Sequence, residues 1–309
     1  MINFRYHVVS LTAVFLALAI GLVVGTAALN GPVSENLKER VTALNKDNNV
    51  MRDQLNQYKE ELNSNQAFAN EIAPFALTGK LATRKVAVVA LPGGKDSAEG
   101  VVKMLNVAGA TITARVTLEE KFIDPANANE LLDLADQSSQ PSIPAAGLPS
   151  NSDGVETASA LLALTLLQGA TVPSQGDVTA VLAALAKPGY IWVGDGAVGG
   201  AEAIVLIAGA PATDKDATKK IQNTVTVATQ FSKNRPLVVA GTSAGDNNLV
   251  AEIRSDPTLV KLISTVDNAS TVQGQLSTAM ATHERLVLNK TGQYGLAAGA
   301  TSLVPSAAP

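Results

Sequence analysis

Residues Lys85–Leu91 read KVAVVAL: one lysine, then six apolar residues, three of them valine. A continuous apolar, β-branched run without polar alternation fits a strand covered on both faces. The next stretch, DSAEGVVKMLNVAG, predicts a helix that Asp96 caps, that runs to Ala108 and that Gly109 ends. TITARVTL, Thr111–Leu118, is a second strand, and Asp124-Pro125 opens another helix, with proline at its first position. Residues 138–154 are rich in Pro, Ser and Gly and read as a loop. Helices are expected over Val155–Leu167 and Val178–Ala186, the second capped by Asp177. YIWVG, EAIVLIAG and PLVVAG are three more strands, with a helix of about 18 residues between the last two. Strand and helix alternate, which implies right-handed crossovers and a mostly parallel, Rossmann-like sheet in three layers over residues 80–304. No series of strands with the length and alternation of a lipid-facing barrel is apparent.

Upstream lies a different grammar. Val8 to Leu29 is 22 residues without a charge, roughly 33 Å of helix and enough to cross a hydrocarbon core. This predicts a retained anchor over residues 1–32. A cleaved signal is the alternative, since Thr26-Ala27-Ala28 offers small residues for cutting. Arg5 on one side and Lys38 and Arg40 on the other leave the charge bias undecided. The short N-terminal tail is easiest to leave in the cytoplasm, so the expected arrangement is a single pass through the plasma membrane with the bulk outside.

Between anchor and sheet, residues 33–70 carry a 3.5-residue repeat. Leu37, Val41, Leu44, Asn48, Met51, Leu55, Tyr58, Leu62 and Asn65 follow at alternating steps of four and three. Such a seam needs a partner helix, and Asn48 inside it favours the register in which two asparagines meet. The expectation is a parallel homodimeric coiled-coil stalk, with Asp47 facing Arg52 of the second chain.

Composition excludes several function classes. A net charge of −4 leaves no nucleic-acid footprint, and the absence of cysteine removes disulfides, zinc ribbons and thiol catalysis. His7 and His283 are the only histidines, and Met1, Met51, Met104 and Met280 show no clustered spacing, so no metal site or cofactor is expected. Gly194 to Gly199 matches GxGxxG but is followed by a strand, and so reads as a turn rather than a dinucleotide fingerprint. Leu91–Ser97, LPGGKDS, could cradle an anion but is no Walker loop. Gly241 to Gly245 is GxSxG, and Ser243, Asp267 and His283 follow hydrolase chain order. The surroundings argue against a triad: Asp246-Asn247-Asn248 delays the helix, and His283 sits in a helical pattern. No enzyme is expected.

FRYHVVSLTAVFLALAIGLVVG at Phe4–Gly25 and STVDNASTVQGQLSTAMATHERLVLNKTGQYG at Ser264–Gly295 resemble the actinobacterial family named after mycobacterial copper transport protein B. The resemblance covers the layout of anchor, coil and α/β domain, and implies an envelope protein of a mycolate bacterium. The family name implies copper export or an outer-membrane channel. Corynebacterial relatives are linked to cell separation with a septal membrane partner. Where the family pattern has Gly-His-Tyr-Gly, this chain has Gly292-Gln293-Tyr294-Gly295, which puts any metal role of that motif in doubt. The residues favour a non-catalytic scaffold in cell separation or cell-wall hydrolase regulation, because they give a stalk and a dimer but neither ligands nor a pore; copper homeostasis or export is the alternative that the family name implies.

Overall fold

The computed structural model describes residues 4–30, 32–150, 153–233, 235–242 and 248–306; the side chains of 28–30 and 32–34 lie outside the description. The chain divides into two compact units, residues 1–65 and 66–309.

The first unit is helical. α1, Phe4–Asn30, contains one segment, Phe4–Ala27, long and apolar enough to cross a membrane, with a mean hydropathy of 2.6. α2, Pro32–Leu77, opens on a proline, which tolerates the first helical position because its missing N–H would have no partner there. Within the first unit its apolar repeat is fully turned to solvent: exposure runs from 49% at Val41 and Leu62 to 68% at Tyr58. Asn48 is exposed as well.

The second unit begins inside α2. Ala69, Ala73 and Leu77, one turn apart, are buried, and Leu81 joins Ala73 and Leu77 in one core. The sheet then forms in the order β3-β2-β1-β4-β5-β6-β7. Its strands are β1 Lys85–Ala90, β2 Thr111–Leu118, β3 Ile191–Val193, β4 Ala203–Ala208, β5 Leu237–Gly241, β6 Ile263–Val266 and β7 Gln293–Tyr294. All pairs are parallel except β2 with β3. The order reverses between β1 and β4, as in doubly wound folds.

The valine-rich run explains the layering. Val86, Val88 and Ala90 face one core; Ala87, Val89 and Leu91 face the other. The first core is closed by α3, Lys95–Val107, and by α11, Val272–Val287. The second is closed by α4 Glu120–Ile123, α5 Ala128–Gln137, α6 Gly154–Leu166, α7 Gln175–Ala186, α8 Ala217–Ser232, α9 Leu249–Ser255 and α10 Leu259–Leu262. The residues of the central strands thus meet helix on either side, and the predicted three layers are present.

Local expectations are met unevenly. Asp124 accepts from the Ala126 amide at 2.9 Å, but it caps a single 3-10 turn, Pro125–Asn127, and α5 itself starts after Asn127. Asp96 is no cap: α3 starts one residue before it, after Gly94, and Asp96 lies in the first turn. Asp177 is likewise inside its helix. Ser174 is the cap, accepting from the Asp177 amide at 3.2 Å, while the Asp177 carboxylate ties down the loop by accepting from Ser142 N at 2.9 Å. The Ser142 hydroxyl first, and that backbone bond second, hold the Asp177 carboxyl below its ordinary value.

Candidate functional site

Of the chemical motifs, the glycine pattern at 194–199 is a turn. β3 ends at Val193, the Gly194 amide donates to Arg115 O, and β4 arrives at Ala203 without an intervening helix. LPGGKDS does join a strand to a helix, yet its loop is packed shut. A β-carbon on Gly94 would stand 2.6 Å from Ile207 O, and one on Gly209 would stand 2.3 Å from Pro92 O. The loops after β1 and β4 therefore touch backbone to backbone where a pyrophosphate would sit between them.

Ser243 of the GxSxG stretch lies outside the described residues. The other two members of the hydrolase order are committed elsewhere. Asp267, fully buried at the end of β6, pairs with Arg254 Nη1 at 2.7 Å and accepts from Leu296 N at 2.8 Å and Ala297 N at 3.0 Å. His283 sits in the C-terminal half of α11, half-buried. Burial, then the charge of Lys80, holds its imidazole below the ordinary value despite the opposing pull of Glu284. Among the described residues the two make no hydrogen bond, so the geometry of a base and its orienting acid is not assembled here.

The C-terminal motif instead builds a latch. Arg254 donates from Nε to Thr265 Oγ1 at 2.8 Å and from Nη2 to Tyr294 O at 2.7 Å. Gln293, buried on β7, donates to Val260 O and Ile263 O, each at 3.0 Å, and accepts from the Thr265 hydroxyl. Tyr294 donates to Glu284; burial first, and that neighbour second, push its hydroxyl above the ordinary tyrosine range. Gly295 has φ of +124°, and a β-carbon there would lie 2.2 Å from Asp267 Oδ1. Position 293 thus points into packed protein and spends its polar atoms on backbone and Thr265. Asp267, Glu284, Gln293, Tyr294 and Gly295 share one buried network that pins β6, β7 and α11 together. Sequence spacing offered no sign of Arg254, whose role appears only once α9 is laid beside β6.

Among the described residues no group of three or more His, Cys, Asp or Glu side chains stands together to hold a metal ion. The residues of the expected dimer seam, Leu37, Val41, Leu44, Asn48, Met51, Leu55, Tyr58 and Leu62, are all exposed on α2, and no second helix is described against them.

Comparison with known proteins draws these parts together. Residues 1–305 match the family model described as "Copper transport outer membrane protein, MctB". A protein of Mycobacterium tuberculosis named "Copper transporter MctB" is 27% identical over 317 residues, spanning 99% of this chain and 100% of the relative. Its namesake in Mycobacterium leprae is 29% identical, over 98% of this chain and 99% of its own. The match runs through α1, α2, the sheet and the latch alike, and the chain belongs to the MctB family of copper transport outer membrane proteins.

Proposed function

We propose that this chain is an anchored envelope protein of copper homeostasis, acting as a non-catalytic accessory to export. The observation that carries this reading is the family match over residues 1–305, end to end and under a copper-transport description. The accessory role is supported by the kind of surface the described residues offer. α1 supplies an apolar span, α2 an exposed apolar seam, and the α/β domain a rigid body whose polar motif is spent on its own latch. In this reading α1 stays in the plasma membrane with the N-terminus in the cytoplasm, and α2 pairs with a second copy in parallel. The domain is then offered to a membrane partner outside.

A second reading, a scaffold for cell separation, is favoured by the same exposed seam from Leu37 to Leu62, which suits recruitment of a partner whatever the cargo. A deletion strain separates the two. Growth arrested by copper at concentrations the parent tolerates, with normal septation, supports the copper reading. Chained cells with unchanged copper tolerance support the scaffold.

A further inference from the structure

The reversal of strand order between β1 and β4 leaves a crevice at the carboxyl ends of the strands, the place where ligands enter doubly wound sheets. A cavity of about 270 Å³ lies there. It is on the α8 side of the sheet, and Pro92, Gly93 and Gly209 of the closed seat form part of its rim. Leu91, Ile123, Ala208 and Leu249 form its apolar floor, continuous with the core on that side. Pro211, Ala212, Thr213 and Ile221 form a wall shared with a second, more open hollow of about 630 Å³. The size falls just below the roughly 300–1,000 Å³ of pockets for drug-sized ligands, so the inner cavity suits a smaller molecule.

Its charges are balanced. Among the described lining residues the charged side chains are Lys220 and Glu120, one of each sign. Lys220 Nζ, 12% exposed at its side chain, donates to Asp214 Oδ2 at 2.6 Å and stands 3.5 Å from Glu120 Oε2. The Asp214 hydrogen bond raises Lys220 above its ordinary value, so the ammonium stays charged. An ammonium has three N–H donors, and two are met by these carboxylates. The third remains for a ligand oxygen. In the lining an added carboxylate or phosphate would face Glu120, and an added cation would face Lys220. A neutral oxygen acceptor takes the third donor with no charge cost, and an aliphatic remainder covers the floor.

We propose that this cavity binds a small uncharged molecule, aliphatic at one end and carrying a hydroxyl or carbonyl oxygen that Lys220 holds. The inference is independent of copper and excludes dinucleotides, because backbone fills the pyrophosphate seat.

Three six-carbon probes test it on the full chain in detergent, with isotope-labelled isoleucine methyls read by NMR: hexanamide, hexanoate and hexylammonium. Hexanamide is expected to shift the Ile123 and Ile221 methyls saturably and to bind more tightly than either charged analogue. Ile221→Trp, which fills the cavity, should abolish those shifts at Ile123. Lys220→Met should weaken binding about tenfold, the scale of one hydrogen bond to a charged group. The proposal is overturned if hexanamide gives no saturable shift, if a charged analogue binds tighter, or if Ile221→Trp binds as before.

Discussion

Arg254 Nη1 stands 2.7 Å from Asp267 Oδ2, with the two side chains 4% and 0% exposed. A buried pair of this kind is costly to break, because the surviving partner is left charged in a dry site, at about 3–5 kcal/mol. Asp267→Asn also weakens acceptance from the Leu296 and Ala297 amides. We expect this variant to lose stability on that scale in urea unfolding. Gly295→Ala should lose a comparable amount, since its methyl would collide with Asp267 at a backbone angle that suits glycine. Unfolding midpoints equal to that of the parent would show that the latch does not hold the C-terminal strands.

Gln293→His restores the residue that the resembling family pattern has at this position. The imidazole can serve fewer of the three partners now held by Gln293, so a loss of about 1 kcal/mol is expected. The same variant should bind copper no better than the parent in a calorimetric titration, because the side chain points into packed protein.

His283 should make the domain acid-sensitive. Its folded pKa lies below the unfolded value of 6.5, so the unfolded chain takes the proton first as pH falls. The neutral folded form is fully favoured above about pH 6.5 and loses ground below it until the folded pKa is passed. His283→Gln should flatten the fall in urea midpoint between about pH 7.5 and about pH 5.5; an unchanged slope would assign the acid response to other groups.

The seam of α2 yields the fourth prediction. If two copies pair in parallel, Asn48→Cys should crosslink in the membrane, and the chain has no native thiol to compete. Leu44→Asp with Leu55→Asp should prevent that crosslink by placing charges in the seam, while Asn48→Leu should strengthen pairing but relax its register. A monomeric Asn48→Cys chain under oxidation would assign the exposed stripe to a different protein.

Five of the seven strands are legible in the sequence because they carry apolar, β-branched or aromatic residues, most plainly at Val86–Ala90 and Ile204–Ala208. β6 and β7 are not. Ser264, Thr265 and Gln293 are polar, and they are buried only because Arg254, Thr265 and the backbone of Val260 and Ile263 satisfy one another across the fold. Such pairing depends on residues 11 to 40 positions apart, which no local pattern reports. The cap at Asp124 was readable because its proline follows directly; the caps near Asp96 and Asp177 were not, since an acidic residue in the first turn looks the same from sequence. The α2 seam is read from periodicity alone, and its residues are exposed on that helix.

Cell-associated copper, measured by mass spectrometry after growth in copper-supplemented medium, tests the central claim most directly. The parent, the deletion strain and the deletion strain carrying either the full chain or its Leu44→Asp, Leu55→Asp variant should be compared. The account predicts copper accumulation in the deletion strain, return to the parental level with the full chain, and continued accumulation with the seam variant. Equal copper in all four strains would contradict a role in copper homeostasis.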